Sequence, residues 1–98
     1  MSATLRPIIT PFAQYKFRRD AQFNPLPRTM AIDIRTAGME RCDADVREVS
    51  DAGVLVFRSA TLELIAWDDI TWVRVAALDA DGKRTAVRVV RADDRIAA

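Results

Sequence analysis

The sequence predicts an all-β fold, a small antiparallel β-barrel of five to six strands with an extended N-terminal arm. Three observations carry that expectation. From residue 28 onward the apolar residues recur with period two, the signature of half-buried strands. Turn residues (Gly, Asp, Ser) punctuate that pattern every several positions. All four prolines, by contrast, fall in the first 27 residues. The chain therefore divides into an arm, residues 1–27, and a β-barrel domain, residues 28–98.

The arm holds Pro7, Pro11, Pro25 and Pro27. Each ring fixes φ and biases the preceding residue towards extended geometry, so one continuous helix is excluded. Four of the seven aromatics, Phe12, Tyr15, Phe17 and Phe23, also lie there, more apolar area than a free tail carries. These four are expected to dock the arm onto its own barrel or onto a neighbouring subunit.

Met30, Ile32 and Ile34 alternate with Thr29, Ala31, Asp33 and Arg35, which predicts the first strand. Thr36-Ala37-Gly38 turns the chain. Cys42, Ala44 and Val46 then alternate with Arg41, Asp43, Asp45 and Arg47. This second strand is expected to pair antiparallel with the first, with Cys42 facing inward as a small buried hydrophobe. Residues 50–53 form a Ser-Asp-Ala-Gly turn, and residues 54–57, apolar on both faces, fit a central strand. Residues 61–65 alternate through Leu62 and Leu64, and Trp67-Asp68-Asp69 is a short loop. Residues 70–78 are rich in β-branched side chains. Asp79-Ala80-Asp81-Gly82 closes a hairpin onto residues 85–91, with Val87 and Val89 on one face and Arg88 and Val90 on the other. Residues 93–98 make a helical turn or end the chain.

Composition narrows the function. Of 98 residues, 50% are hydrophobic and 30% charged, a globular balance for one domain. Histidine is absent and cysteine occurs once, which removes the usual general base, the Ser-His and Cys-His nucleophile pairs and most transition-metal ligand sets. The acidic pairs Asp68-Asp69 and Asp93-Asp94 lack calcium-loop spacing. A non-enzymatic protein without metal or cofactor is expected. A lone cysteine forms no internal disulfide, so the expected compartment is the cytoplasm. No apolar run approaches the roughly 18–20 residues of a membrane span, and Pro7 and Pro11 interrupt any signal-peptide layout. In residues 1–28 five cations face Asp20 alone, giving +4, so a net charge of +1 leaves −3 for the rest.

Two short stretches carry ligand chemistry. Arg18-Arg19-Asp20-Ala21-Gln22 precedes the first strand, and Glu48-Val49-Ser50-Asp51-Ala52-Gly53 joins two later ones. Paired guanidiniums on a leader grip phosphates and guanine edges bidentately. A carboxylate beside a Ser hydroxyl supplies acceptors and a donor, and Gly admits close backbone approach. With the strand layout and the Val87 to Arg91 ending, these stretches resemble the PilZ domain, the bacterial module that binds cyclic di-GMP through RxxxR and D/NxSxxG motifs. The resemblance spans residues 16–94. It implies a cyclic di-GMP ligand gripped by Arg18 and Arg19 over a barrel-side pocket of Glu48, Ser50 and Gly53. The chain has Gln22 at the second arginine of the spaced motif and Glu48 at its Asp or Asn position. Family members with degenerate motifs act through protein contacts. A weaker resemblance, to bacterial pleckstrin-homology-like sheets, rests on Gly53-Val54-Leu55-Val56, then Leu64 to Ile70 and Val73.

The expected function is a non-enzymatic binding module resembling PilZ, either a cyclic di-GMP-responsive regulator or a degenerate form working by protein contacts. The alternative is an assembly protein whose N-terminal arm docks onto neighbouring subunits, so a protein partner or homo-oligomer is expected. Nucleic-acid binding through Lys16, Arg18, Arg19 and Arg28 is opposed by the acidic body of the chain.

Overall fold

Period-two alternation yields strands where one face finds an apolar partner, and the described residues form seven strands. The computed structural model describes residues 4–93. Its strands are β1 (Met30–Thr36), β2 (Glu40–Arg41), β3 (Asp45–Val49), β4 (Gly53–Arg58), β5 (Thr61–Ala66), β6 (Ile70–Leu78) and β7 (Arg84–Arg91). They form a four-stranded sheet in the order β2-β1-β6-β7 and a three-stranded sheet in the order β3-β4-β5. All pairings between these strands are antiparallel. No ladder among the described residues closes the two sheets into one ring. The core lies between them. Ile32, Ile34, Ile70, Val73 and Val90 come from the first sheet, Val46, Val54, Val56 and Ile65 from the second, and Trp67 from the link between β5 and β6.

The expected second strand is divided. Glu40 and Arg41 pair with β1, but Asp45 to Val49 pair with β4. The cause is Asp43, whose φ of 50° turns the chain at a position where Asp tolerates the left-handed region. Its N–H donates to the Asp33 carboxylate at 2.7 Å, and the next N–H, of Ala44, donates to the Ile32 carbonyl at 2.7 Å. Residues 40–49 thereby pass from one sheet to the other. Cys42 sits on this corner and is exposed rather than buried. Its thiol donates to Glu40, a bond that pushes the thiol pKa up.

The leader is helical through residue 17 rather than extended. One α-turn, α1 (Arg6–Ile9), is followed by 3-10 turns at Thr10–Phe12 and Tyr15–Phe17. Pro7 and Pro11 are the second residues of their turns, where a missing N–H costs no hydrogen bond. Leu5, Ile9 and Phe12 enter the core. Tyr15 is buried too, and its hydroxyl accepts from the Thr29 and Met30 amides at 2.6 and 3.3 Å, clamping the start of β1. Gln14 covers β3: its N–H donates to the Val46 carbonyl at 2.9 Å and its amide to that of Arg47 at 2.8 Å.

The face of β1 and β6 opposite the core hides a charge. Asp33 is 1% exposed and receives both Arg84 N–H groups at 2.6 and 2.7 Å and Arg74 at 2.8 Å. Arg74 also bonds Glu40 at 2.7 Å. Burial alone raises a carboxyl pKa, but the Arg84, Asp43 N–H and Arg74 bonds prevail and hold Asp33 down at about 2.

Candidate functional site

The residues assigned by motif do not converge. Arg18 donates to the carbonyls of Tyr15 and Pro27 at 3.2 and 3.0 Å, and its guanidinium carbon lies 3.9 Å from the Tyr15 ring centroid. Arg19 bonds the carbonyls of Lys16 and Arg18 at 3.1 and 2.9 Å. Both guanidiniums therefore close the leader on itself. No hydrogen bond among the described residues joins either to Glu48, Ser50 or Gly53. Gln22 lies in an Asp20-capped turn, its N–H donating to that carboxylate at 2.9 Å.

The 50–53 turn is accounted for by packing. Ser50 and Gly53 exchange backbone bonds at 2.9 and 3.3 Å, and the Ser50 carbonyl also accepts the Trp67 indole N–H at 2.8 Å. The Ser50 hydroxyl accepts from Ala52 N–H at 3.3 Å. Gly53 is required by its φ of 149° and by β5, since a Cβ there would meet the Ile65 carbonyl oxygen at 2.1 Å. Its close approach is to a neighbouring strand. The leader does reach this turn, through Arg6, which pairs with Asp51 at 2.6 Å. Glu48 is exposed beside a bulge.

That bulge builds a different surface. Arg47 is the extra residue, since Val46 faces Val56 and Glu48 faces Leu55. Its guanidinium lies between two rings, 3.8 Å from the Phe17 centroid and 4.4 Å from that of Phe57, and is held in plane by two bonds to Asp45 at 3.1 and 3.0 Å. Beyond Phe57 the same face continues across β4 and β5, because Phe57 pairs with Leu62 and Leu55 with Leu64. Leu62 and Leu64 are 57% and 56% exposed, and Phe57 is 38%. Phe17, Arg47, Phe57, Leu62 and Leu64 form one outward apolar stripe. Of the four aromatics expected to dock the arm, Phe12 and Tyr15 are buried in their own chain, while Phe17 and Phe23 remain exposed.

The stripe ends on an open strand. Among the described residues β5 pairs only with β4 and β7 only with β6, whereas the β3 backbone is covered by Gln14. The β4–β5 hairpin closes on Arg58 and Thr61 across Ser59 and Ala60, both at positive φ. Such a two-residue loop closes on a hydrogen-bonded pair. Ladder alternation then leaves the N–H and C=O groups of Leu62 and Leu64 aimed off the edge. On β7, Ala92 N–H donates to the Thr71 carbonyl at 2.9 Å. Alternation from that pair turns the backbone groups of Val87 and Val89 off their edge.

Compared with known proteins, the chain has no significant match to a family model, a curated protein or a solved structure. Among the described residues no cluster of three or more Asp, Glu or Cys side chains is placed to hold a metal ion. No described helix is long and apolar enough to cross a membrane.

Sequence reasoning missed Arg47, Asp33 and the outward turn of Leu62 and Leu64. The available signal lay between the leucines: Glu63 shares the core-facing side with Ile65, and Arg41 pairs with it there at 2.7 Å.

Proposed function

We propose that this chain is a non-enzymatic, cytoplasmic binding module, a degenerate PilZ-like β-barrel that works through protein contacts. One observation carries the reading. The groups that would grip a dinucleotide, Arg18 and Arg19, are bonded to the chain's own carbonyls, while an apolar stripe at Phe17, Phe57, Leu62 and Leu64 stands in solvent. Exposed apolar residues that run together along a sheet mark interaction sites. Strand edges with unpaired backbone groups bind partners by adding a strand.

A second reading, a cyclic di-GMP-responsive regulator, is favoured by the Arg6–Asp51 ion pair, which holds the start of the leader at the 50–53 turn. Isothermal titration with cyclic di-GMP separates the two. The protein-contact reading expects no saturable heat. Saturable heat that disappears in both Arg18→Ala and Arg19→Ala would replace it with the dinucleotide reading.

A further inference from the structure

We infer that the two open strands fit each other, so that β5 of one copy pairs antiparallel with β7 of a second copy. The inference deepens the protein-contact reading by naming one partner.

Three independent features meet in a single register. The first is backbone direction. Leu62 and Leu64 on β5, and Val87 and Val89 on β7, are the residues whose N–H and C=O groups point off their edges. Antiparallel pairing of Leu62 with Val89 and Leu64 with Val87 satisfies all of them.

The second is apolar burial. These four side chains are 57%, 56%, 55% and 49% exposed in the free chain. Each pair lies on the face of its sheet opposite the core, as the registers of β4–β5 and β6–β7 require. In the joint sheet they become one cross-strand cluster.

The third is charge. The same register sets Glu63 opposite Arg88 on the other face, at a non-hydrogen-bonded position where side chains stand closest. Arg88 is exposed and has no ion-pair partner among the described residues. Glu63 is bound to Arg41 but its side chain is still 36% accessible. In a parallel ladder a residue with outward backbone groups stands opposite one whose groups point inward, so Glu63 and Arg88, both inward, could not face each other. The Glu63–Arg88 pairing therefore requires the antiparallel arrangement.

Because the two surfaces differ, the contact is heterologous. Each copy keeps a free β5 or β7, and assembly proceeds to a ring or a filament.

Sedimentation velocity over a wide concentration range tests this, with Leu64→Lys to block β5 and Arg88→Glu to block β7. Leu62→Lys replaces Leu64→Lys if circular dichroism shows that variant unfolded. Wild-type protein is expected to sediment above its 11.0 kDa chain mass as concentration rises, and less so in high salt. Each variant alone should self-associate about tenfold more weakly or not at all. Mixed, the two should form a heterodimer, since the intact β7 of one meets the intact β5 of the other. A wild-type monomer at every concentration overturns the inference. So do two folded, monomeric variants that stay monomeric on mixing. Dinucleotide calorimetry is independent of this mass measurement, so the protein-contact reading and the self-pairing can fail separately.

Discussion

The middle of the four-stranded sheet and the open strands β5 and β7 invert the usual distribution of polarity in opposite ways. At Asp33 a charge is buried, and on β5 and β7 leucine and valine are wet. The two departures are unequal in kind. Every oxygen of Asp33 has a donor, from Arg84, Arg74 or the Asp43 amide, so that site is complete within one chain. Leu62, Leu64, Val87 and Val89 are only about half covered and have no outward backbone partners among the described residues. A satisfied buried charge holds β1, β6 and the β2–β3 corner in register. An unsatisfied apolar edge is where the proposed second copy would pair.

The largest expected effect comes from breaking the satisfied region. Asp33→Ala leaves the Arg74 and Arg84 guanidiniums without their carboxylate. It should cost about 3–5 kcal/mol, read as a fall in the urea midpoint. Acid should do the same more gently. The folded pKa of Asp33, about 2, lies below its ordinary 3.8, so its contribution is complete above the ordinary value. That contribution is lost as pH falls from about 4 towards 2. Denaturant melts at a series of acid pH values should show this loss in the wild type and a flatter profile in Asp33→Ala.

Gly53→Ala lies on the other side of the comparison, where β4 meets β5. The added Cβ cannot fit against the Ile65 carbonyl at 2.1 Å, so the hairpin must shift. A loss of about 1–3 kcal/mol is expected in thermal or denaturant melts, without dependence on dinucleotide. The smallest effect should be at the edge itself. Leu62→Thr or Leu64→Thr should change monomer stability by no more than about 0.5 kcal/mol while weakening association. Edge and interior are then separated by which of the two measurements moves.

Much of the fold was legible from period two and turn chemistry. The 79–82 hairpin and the 50–53 turn form where Asp, Ser and Gly mark them, and β1, β4 and β6 follow their β-branched runs. Alternation reports a period but not which face is wet. Neither the burial of Asp33 nor the outward turn of Leu62 and Leu64 follows from it. The divided second strand was illegible because Asp43, with neither Gly nor Pro beside it, is turned by a long-range bond to Asp33. In the leader, prolines read as breakers of one long helix act as first-turn residues of several short ones. The Arg-Arg and Ser-Asp-Ala-Gly stretches were visible as motifs. Their bonding to the leader's own carbonyls and to Trp67 depends on tertiary packing, which no local pattern encodes.

Amide hydrogen exchange as a function of protein concentration tests the central claim most directly, because it reads the covered and open strands in one sample. At high dilution the Leu62, Leu64, Val87 and Val89 amides should exchange fast, while β1 amides that face β6, such as Ala31 and Asp33, stay protected. As concentration rises, those four amides should gain protection together and the β1 amides should not change. Edge amides already as slow as those of β1 at the highest dilution, or still unprotected at the highest concentration, would contradict an open edge that pairs with another copy.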